Sequence, residues 1–438
     1  MIFIIYFPLI LISLFNLIYF LSKKPHNIGL HILNFIYFFI YGLAGCYSIF
    51  QYNEQLDLYV NLNRQDYYIV FSCILVTLSY FISLYFYNFF QKISFLKLNL
   101  KLNFNSIKVA SIISFFLCSI FILVYISQYG GFTKALAATS AIRAGFGELE
   151  EGASGATFVK YLMPIGVFPL LYSTFMLLDT NNKKYILFFI ISFLQVFIAF
   201  LLMGGRTRIV IYLTSIIIIY LYMKGKSIRF YHIIKFSPIF LLVSFFIIFG
   251  KQFFSSFDAI IKGESIKETF LEKESSSFFE SSVGYFCHRT YSIEMALIEF
   301  DKSNFIYWFK DNFLSLLYFI PERITGIVKP NSISLYNTEM LTGISSSMIP
   351  PGIIGYGVYS LWFPGAFIAA IIYSFIFSFM DRIYLSNLDR KYSLIIVLPI
   401  LIVWGLYGST GDFKIIVNSI SYILIFLIIM FIYSRIKG

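Results

Sequence analysis

Apolar residues run through this chain in eleven long stretches, separated by short polar connections and, once, by a long mixed segment. The stretches fall at 2–22, 28–50, 67–90, 107–128, 156–178, 185–203, 209–223, 236–250, 357–380, 393–408 and 415–434. About twenty apolar residues are enough to cross a hydrocarbon core as a helix. Helix is required there, because lipid offers open backbone groups no partner. The pattern predicts an all-α polytopic membrane protein with about eleven transmembrane helices, a single integral membrane domain over 1–438. The shortest stretch, 209–223, needs its neighbours' ends to reach across.

The interruption is 251–356, which begins KQFFSSFDAIIKGESIKETFLEKESSSFFE. Within it, 263–300 contains helix-forming stretches, and 303–320 is amphipathic enough to lie along a membrane surface. Pro350 and Pro351 exclude a regular helix just before the ninth stretch. A smaller connection, 129–155, is rich in Gly and Ala around a central Arg143. No internal repeat is evident, and no stretch carries an ionisable residue at its centre. Ion-coupled transporters commonly show both features.

Composition agrees with the pattern. Hydrophobic residues make up 59% of the chain and charged residues 13%, about half the charged share of a soluble globular protein. The net charge of +11 would point to nucleic acid in a soluble protein. Here it reads as topology and no nucleic-acid partner is expected, because Lys and Arg collect on the cytoplasmic side of membranes. One set of alternate loops holds 17 Lys and Arg, and the short loops of the other set hold 7. The bias predicts an N-terminus outside, a C-terminus inside and a large helical extracytoplasmic loop at 251–356. The first stretch lacks a basic leader and a small-residue cleavage site, so it is expected to be a span rather than a cleavable signal. Cys46, Cys73, Cys118 and Cys287 are scattered and form no metal or disulfide spacing.

Candidate chemistry gathers on the expected outer side. His288, in GYFCHRTYSIE, is the one histidine in an outer loop, beside Arg289 and near Tyr291 and Glu294. An imidazole can serve as a general base near neutral pH; contact with substrate and a structural role are its other readings. Glu280, Glu294 and Glu299 are rival bases, as are Glu148, Glu150 and Glu151 in the smaller loop, although most such acids are solvated surface charges. MGGRTRIVIYL places Arg206 and Arg208 at the outer end of a stretch, behind two glycines that admit close approach. With Arg143, Arg289 and Arg323 they are candidate phosphate ligands, since the guanidinium fork binds oxygens in pairs. Anchoring to anionic headgroups is the alternative, but it runs against the positive-inside bias. No P-loop, dinucleotide, zincin or CxxC motif occurs, so neither cofactor nor metal is expected.

The layout of spans, the two outer loops, GGRTRIVIYL opening a span and PPGIIGYGVYSLWFPGAFIAAII leaving the large loop together resemble the Wzy-type O-antigen and oligosaccharide repeat-unit polymerases. The Arg-x10-Gly pattern of some members is not met, since eleven residues separate Arg143 from Gly155. The resemblance implies a GT-C-like membrane glycosyltransferase of the bacterial inner membrane, working on its periplasmic face without a metal. It would move a glycan from undecaprenyl pyrophosphate to the non-reducing end of a lipid-linked repeat unit, inverting the anomeric centre. Arg206, Arg208 and Arg289 would stabilise the leaving pyrophosphate, and His288 or a neighbouring Glu would take the acceptor proton. Membrane lipid and a separate chain-length regulator are the expected partners. An O-antigen ligase acting on lipid A core shares donor and architecture and is barely separated by layout, whereas a polysaccharide-unit flippase fits less well.

Overall fold

The computed structural model describes residues 2–23, 26–51, 59–62, 64–93, 104–144, 159–180, 182–203, 206–224, 283–301, 308–314, 332–344, 348–386 and 390–437. No strand occurs among them. Nine of their helices are long and apolar enough to cross a membrane: Ile4–Leu21, Ile28–Gln51, Asp66–Lys92, Phe104–Gln128, Val159–Thr180, Lys184–Leu202, Gly352–Ser386, Tyr392–Thr410 and Ile416–Ile436. Each overlaps an expected stretch. The stretch 209–223 lies in a helix over Arg206–Lys224, and 236–250 lies outside the described residues.

In chain order we label α1 (Phe7–Lys23), α2 (Ile28–Ile36), α3 (Ala44–Gln51), α4 (Asp66–Lys92), α5 (Phe104–Gln128), α6 (Phe132–Ala144), α7 (Val167–Thr180), α8 (Lys184–Leu202) and α9 (Arg206–Lys224). Then follow α10 (Tyr285–Asp301), α11 (Lys310–Leu314), α12 (Ile333–Thr342), α13 (Gly352–Ser386), α14 (Arg390–Thr410) and α15 (Phe413–Lys437). Contacts divide the chain into two compact units. The first takes its residues from 1–99, 282–386 and 400–419, the second from 100–281, 387–399 and 420–438.

In the first unit α13 runs along α4, and α10 packs against α13 and α3. Neighbouring residues of α13 close two other helices. The Asp381 carboxylate accepts the amides of Gly29 (2.8 Å) and Leu30 (3.1 Å) and the Tyr87 hydroxyl (2.6 Å). It thereby serves N–H groups that the first turn of α2 leaves open. Arg382 donates to the carbonyls of Phe90 (3.0 Å) and Ile93, where α4 ends. An anion at a helix start and a cation at a helix end also match the backbone dipoles. Polar side chains join α2 and its continuation to α4: Tyr80 donates to Asn34 at 2.6 Å, and Tyr37 pairs with Ser83 at 3.1 Å. Such bonds hold helices together where lipid supplies no hydrophobic drive.

Between α2 and α3 the helix widens to a π segment, Tyr37–Leu43, a form that often marks functional positions. Near its start α13 breaks at Leu361 and Trp362, the latter at φ +56°. The Ser360 carbonyl beside this break accepts the Trp308 amide at 3.0 Å, and the Trp362 ring stacks on Phe300 with centroids 4.2 Å apart. The Pro350–Pro351 step does exclude helix, and α13 begins immediately after it at Gly352.

The second unit packs α7 against α8 and α9. Gln195 of α8 donates to the Phe115 carbonyl of α5 at 2.7 Å, and Tyr212 of α9 pairs with Tyr422 of α15 at 2.9 Å. Phe168 and Phe426 stack at 3.7 Å.

Candidate functional site

The helix α10 carries five of the sequence candidates, His288, Arg289, Tyr291, Glu294 and, near its end, Glu299. Arg289 and Tyr291 are 1% and 0% exposed, and His288 is half-buried. The helix succeeds here because spacings of three and four place Cys287, Tyr291 and Glu294 on one face and Gly284 and His288 beside it. A Cβ at Gly284 would meet the Gln51 amide at 3.1 Å, so that side chain would have to give by a few tenths of an ångström.

Glu294 receives a bidentate ion pair from Arg64, whose Nε and Nη2 lie 2.8 and 2.9 Å from the two carboxylate oxygens. The side chains are 3% and 0% exposed. The same guanidinium donates to the Ser48 carbonyl (2.8 Å) and hydroxyl (3.1 Å). Tyr291 also donates to that carbonyl, at 2.9 Å, and its ring lies 5.2 Å from the Arg64 guanidinium carbon. Burial pushes the Glu294 carboxyl up, and Arg64 opposes the shift. Burial likewise works against the Arg64 charge, and the Glu294 carboxylate more than restores it. The result is a desolvated, charge-balanced joint between α3, α10 and the entry to α4.

One turn away, Tyr59 shares a hydrogen bond with His288 Nδ1. The Tyr59 ring also packs on Tyr291, with centroids 4.9 Å apart. Burial, with Arg289 adding to it, lowers the imidazole pKa from 6.5 to about 3, so His288 is neutral at physiological pH. Arg289 bonds backbone: its Nε donates to the Ser409 carbonyl and its Nη1 to the Pro350 carbonyl at 2.7 Å. It ties α10 to the end of α14 and to the approach to α13. A second polar chain runs on through Ser292, Asn337 and Tyr359. Asn337 donates to Ser292 Oγ (2.9 Å) and to the Ile349 carbonyl (2.7 Å), and it accepts from the Tyr359 hydroxyl (3.0 Å).

The remaining candidates stand elsewhere. Arg206 and Arg208 occupy the first turn of α9, and Arg143 the last turn of α6. Glu280, Arg323, Glu148, Glu150 and Glu151 lie outside the described residues. Sequence reasoning missed Tyr59 and Arg64. Arg64 did carry a signal, because it is the one basic residue in its short loop on the Lys- and Arg-poor side. No protein-family model matches this chain, and neither a characterised protein nor a solved structure shows significant similarity to it.

Proposed function

We propose that this protein is an inner-membrane glycosyltransferase that lengthens a surface polysaccharide. It moves a growing glycan from undecaprenyl pyrophosphate to the non-reducing end of a lipid-linked repeat unit, on the periplasmic face. The observation that carries this reading is the α10 cluster: His288 and Glu294 of the one long segment that interrupts the apolar stretches meet Tyr59 and Arg64 of the short connection entering α4, in an imidazole–phenol contact and a buried Arg–Glu pair. The whole-chain resemblance to repeat-unit polymerases supplies the substrate class.

The chemistry is consistent with these groups. Departure of pyrophosphate from the anomeric carbon gives an oxocarbenium-like transition state. The attacking hydroxyl becomes strongly acidic once its new bond has formed. A weak base then suffices, and His288, whose basicity burial and Arg289 lower, is the candidate for that late, strongly acidic proton. Fixed cations must meet the leaving pyrophosphate; Arg206 and Arg208, opening α9 behind Gly204 and Gly205, are the sequence's candidates for that role. In a strain lacking the protein, single repeats should remain, capped onto the lipid A core. Accumulation of long polymer on the lipid carrier would instead identify a ligase.

A further inference from the structure

Tyr59 and Arg64 stand five positions apart on the short connection that enters α4, and both engage α10. Arg64 binds Glu294 with two parallel hydrogen bonds, and Tyr59 meets His288. Tyr291 links the two contacts. Its ring packs on Tyr59 and lies near the Arg64 guanidinium, and its hydroxyl shares the Ser48 carbonyl with Arg64. Asn61, between them in sequence, is held from another direction, its amide donating to the Leu341 carbonyl at 3.3 Å. The connection is thus fastened to α10 by its charged end and to α12 by its middle. Those fastenings leave Tyr59 little freedom at the imidazole.

A buried ion pair is a costly way to join helices, since apolar side chains of similar volume commonly serve stability as well or better. What the pair adds is direction, because a guanidinium fork accepts a carboxylate in one plane only. We propose that Arg64 and Glu294 are positioning residues: their pair fixes the connection so that the Tyr59 hydroxyl stays hydrogen-bonded to His288 Nδ1 and holds the ring in one tautomer. The identity of a histidine's basic nitrogen is set by the hydrogen bond that its other nitrogen makes. The catalytic consequence rests on the polymerase reading; the tautomer does not.

The test reads the ring directly. Protein labelled with 15N-histidine is reconstituted in nanodiscs, and the His288 signals are assigned by their loss in His288→Gln. The wild-type ring should be neutral and in a single tautomer. Tyr59→Phe, which keeps the ring and removes only the hydroxyl, should shift population into the other tautomer. Glu294→Gln and Arg64→Gln should shift it in the same direction, and Arg64→Lys, which retains the charge without the fork, should shift it less. Should a singly charged variant fail to fold, the paired replacement Arg64→Met with Glu294→Leu removes both charges together. On lipid-linked repeat unit, the same variants should lose about tenfold or more in kcat with little change in KM, as expected for loss of base orientation.

A wild-type ring shared between both tautomers would overturn the proposal. So would a ring signal left unchanged by Glu294→Gln and by the paired replacement. If the tautomer responds as described while the wild-type protein elongates nothing, the positioning stands and the polymerase reading fails.

Discussion

In water, the His288 imidazole would be half-protonated near pH 6.5; in its place on α10 it stays neutral down to about 3. Between those values the unfolded chain takes up a proton that the folded protein refuses. Stability therefore falls as pH drops through that window. Glu294 acts in the opposite sense, because burial raises its carboxyl and lets the folded state take a proton first. The histidine contribution is isolated by comparing wild type with His288→Gln: thermal unfolding between pH 7.5 and 4.5 should show a flatter decline in the variant. Equal slopes would place the imidazole in contact with water. The activity profile should likewise show no acid limb near pH 6.5 belonging to His288. Arg206 is assigned more simply. Arg206→Ala should collapse the long-chain ladder while membrane insertion persists, and a normal ladder would remove it from pyrophosphate binding.

Helices were legible where physics leaves one solution, and hidden where side chains meet across the sequence. An apolar run of span length has only helix open to it in lipid, so Asp66–Lys92 and Gly352–Ser386 follow from hydropathy. Pro350 and Pro351 marked the start of α13 for an equally local reason. Nothing local joins Arg64 to Glu294, which stand 230 positions apart, or Asp381 to Gly29, 352 apart. Such pairs appear only once α4, α10 and α13 are packed. The Asp381 contact yields its own prediction. Asp381→Ala leaves two buried amides and a phenol without their acceptor, and each buried group left unsatisfied costs about 1–3 kcal/mol. The variant should unfold at distinctly lower temperature in detergent, while Asp381→Asn, which keeps one acceptor oxygen, should lose less. Equal melting of both variants with wild type would show that the start of α2 does not depend on this carboxylate.

For the whole molecule, the charge asymmetry of alternate loops predicts which side the long segment faces, and the proposed chemistry depends on that side. A cysteine-free background carrying Ser276→Cys should react with a membrane-impermeant maleimide in cells whose outer membrane alone is opened. Asn182→Cys should react only after the inner membrane is breached. The reverse pattern would put the α10 cluster on the nucleotide-sugar side and remove the need for a lipid-linked donor. The most direct measurement is made on the purified, reconstituted protein given lipid-linked repeat unit and nothing else, with a chelator present. The account predicts a ladder of lengthening glycans without nucleotide sugar or ATP. Correctly folded protein that leaves every repeat unit single, or that transfers glycan only when lipid A core is added, would contradict it.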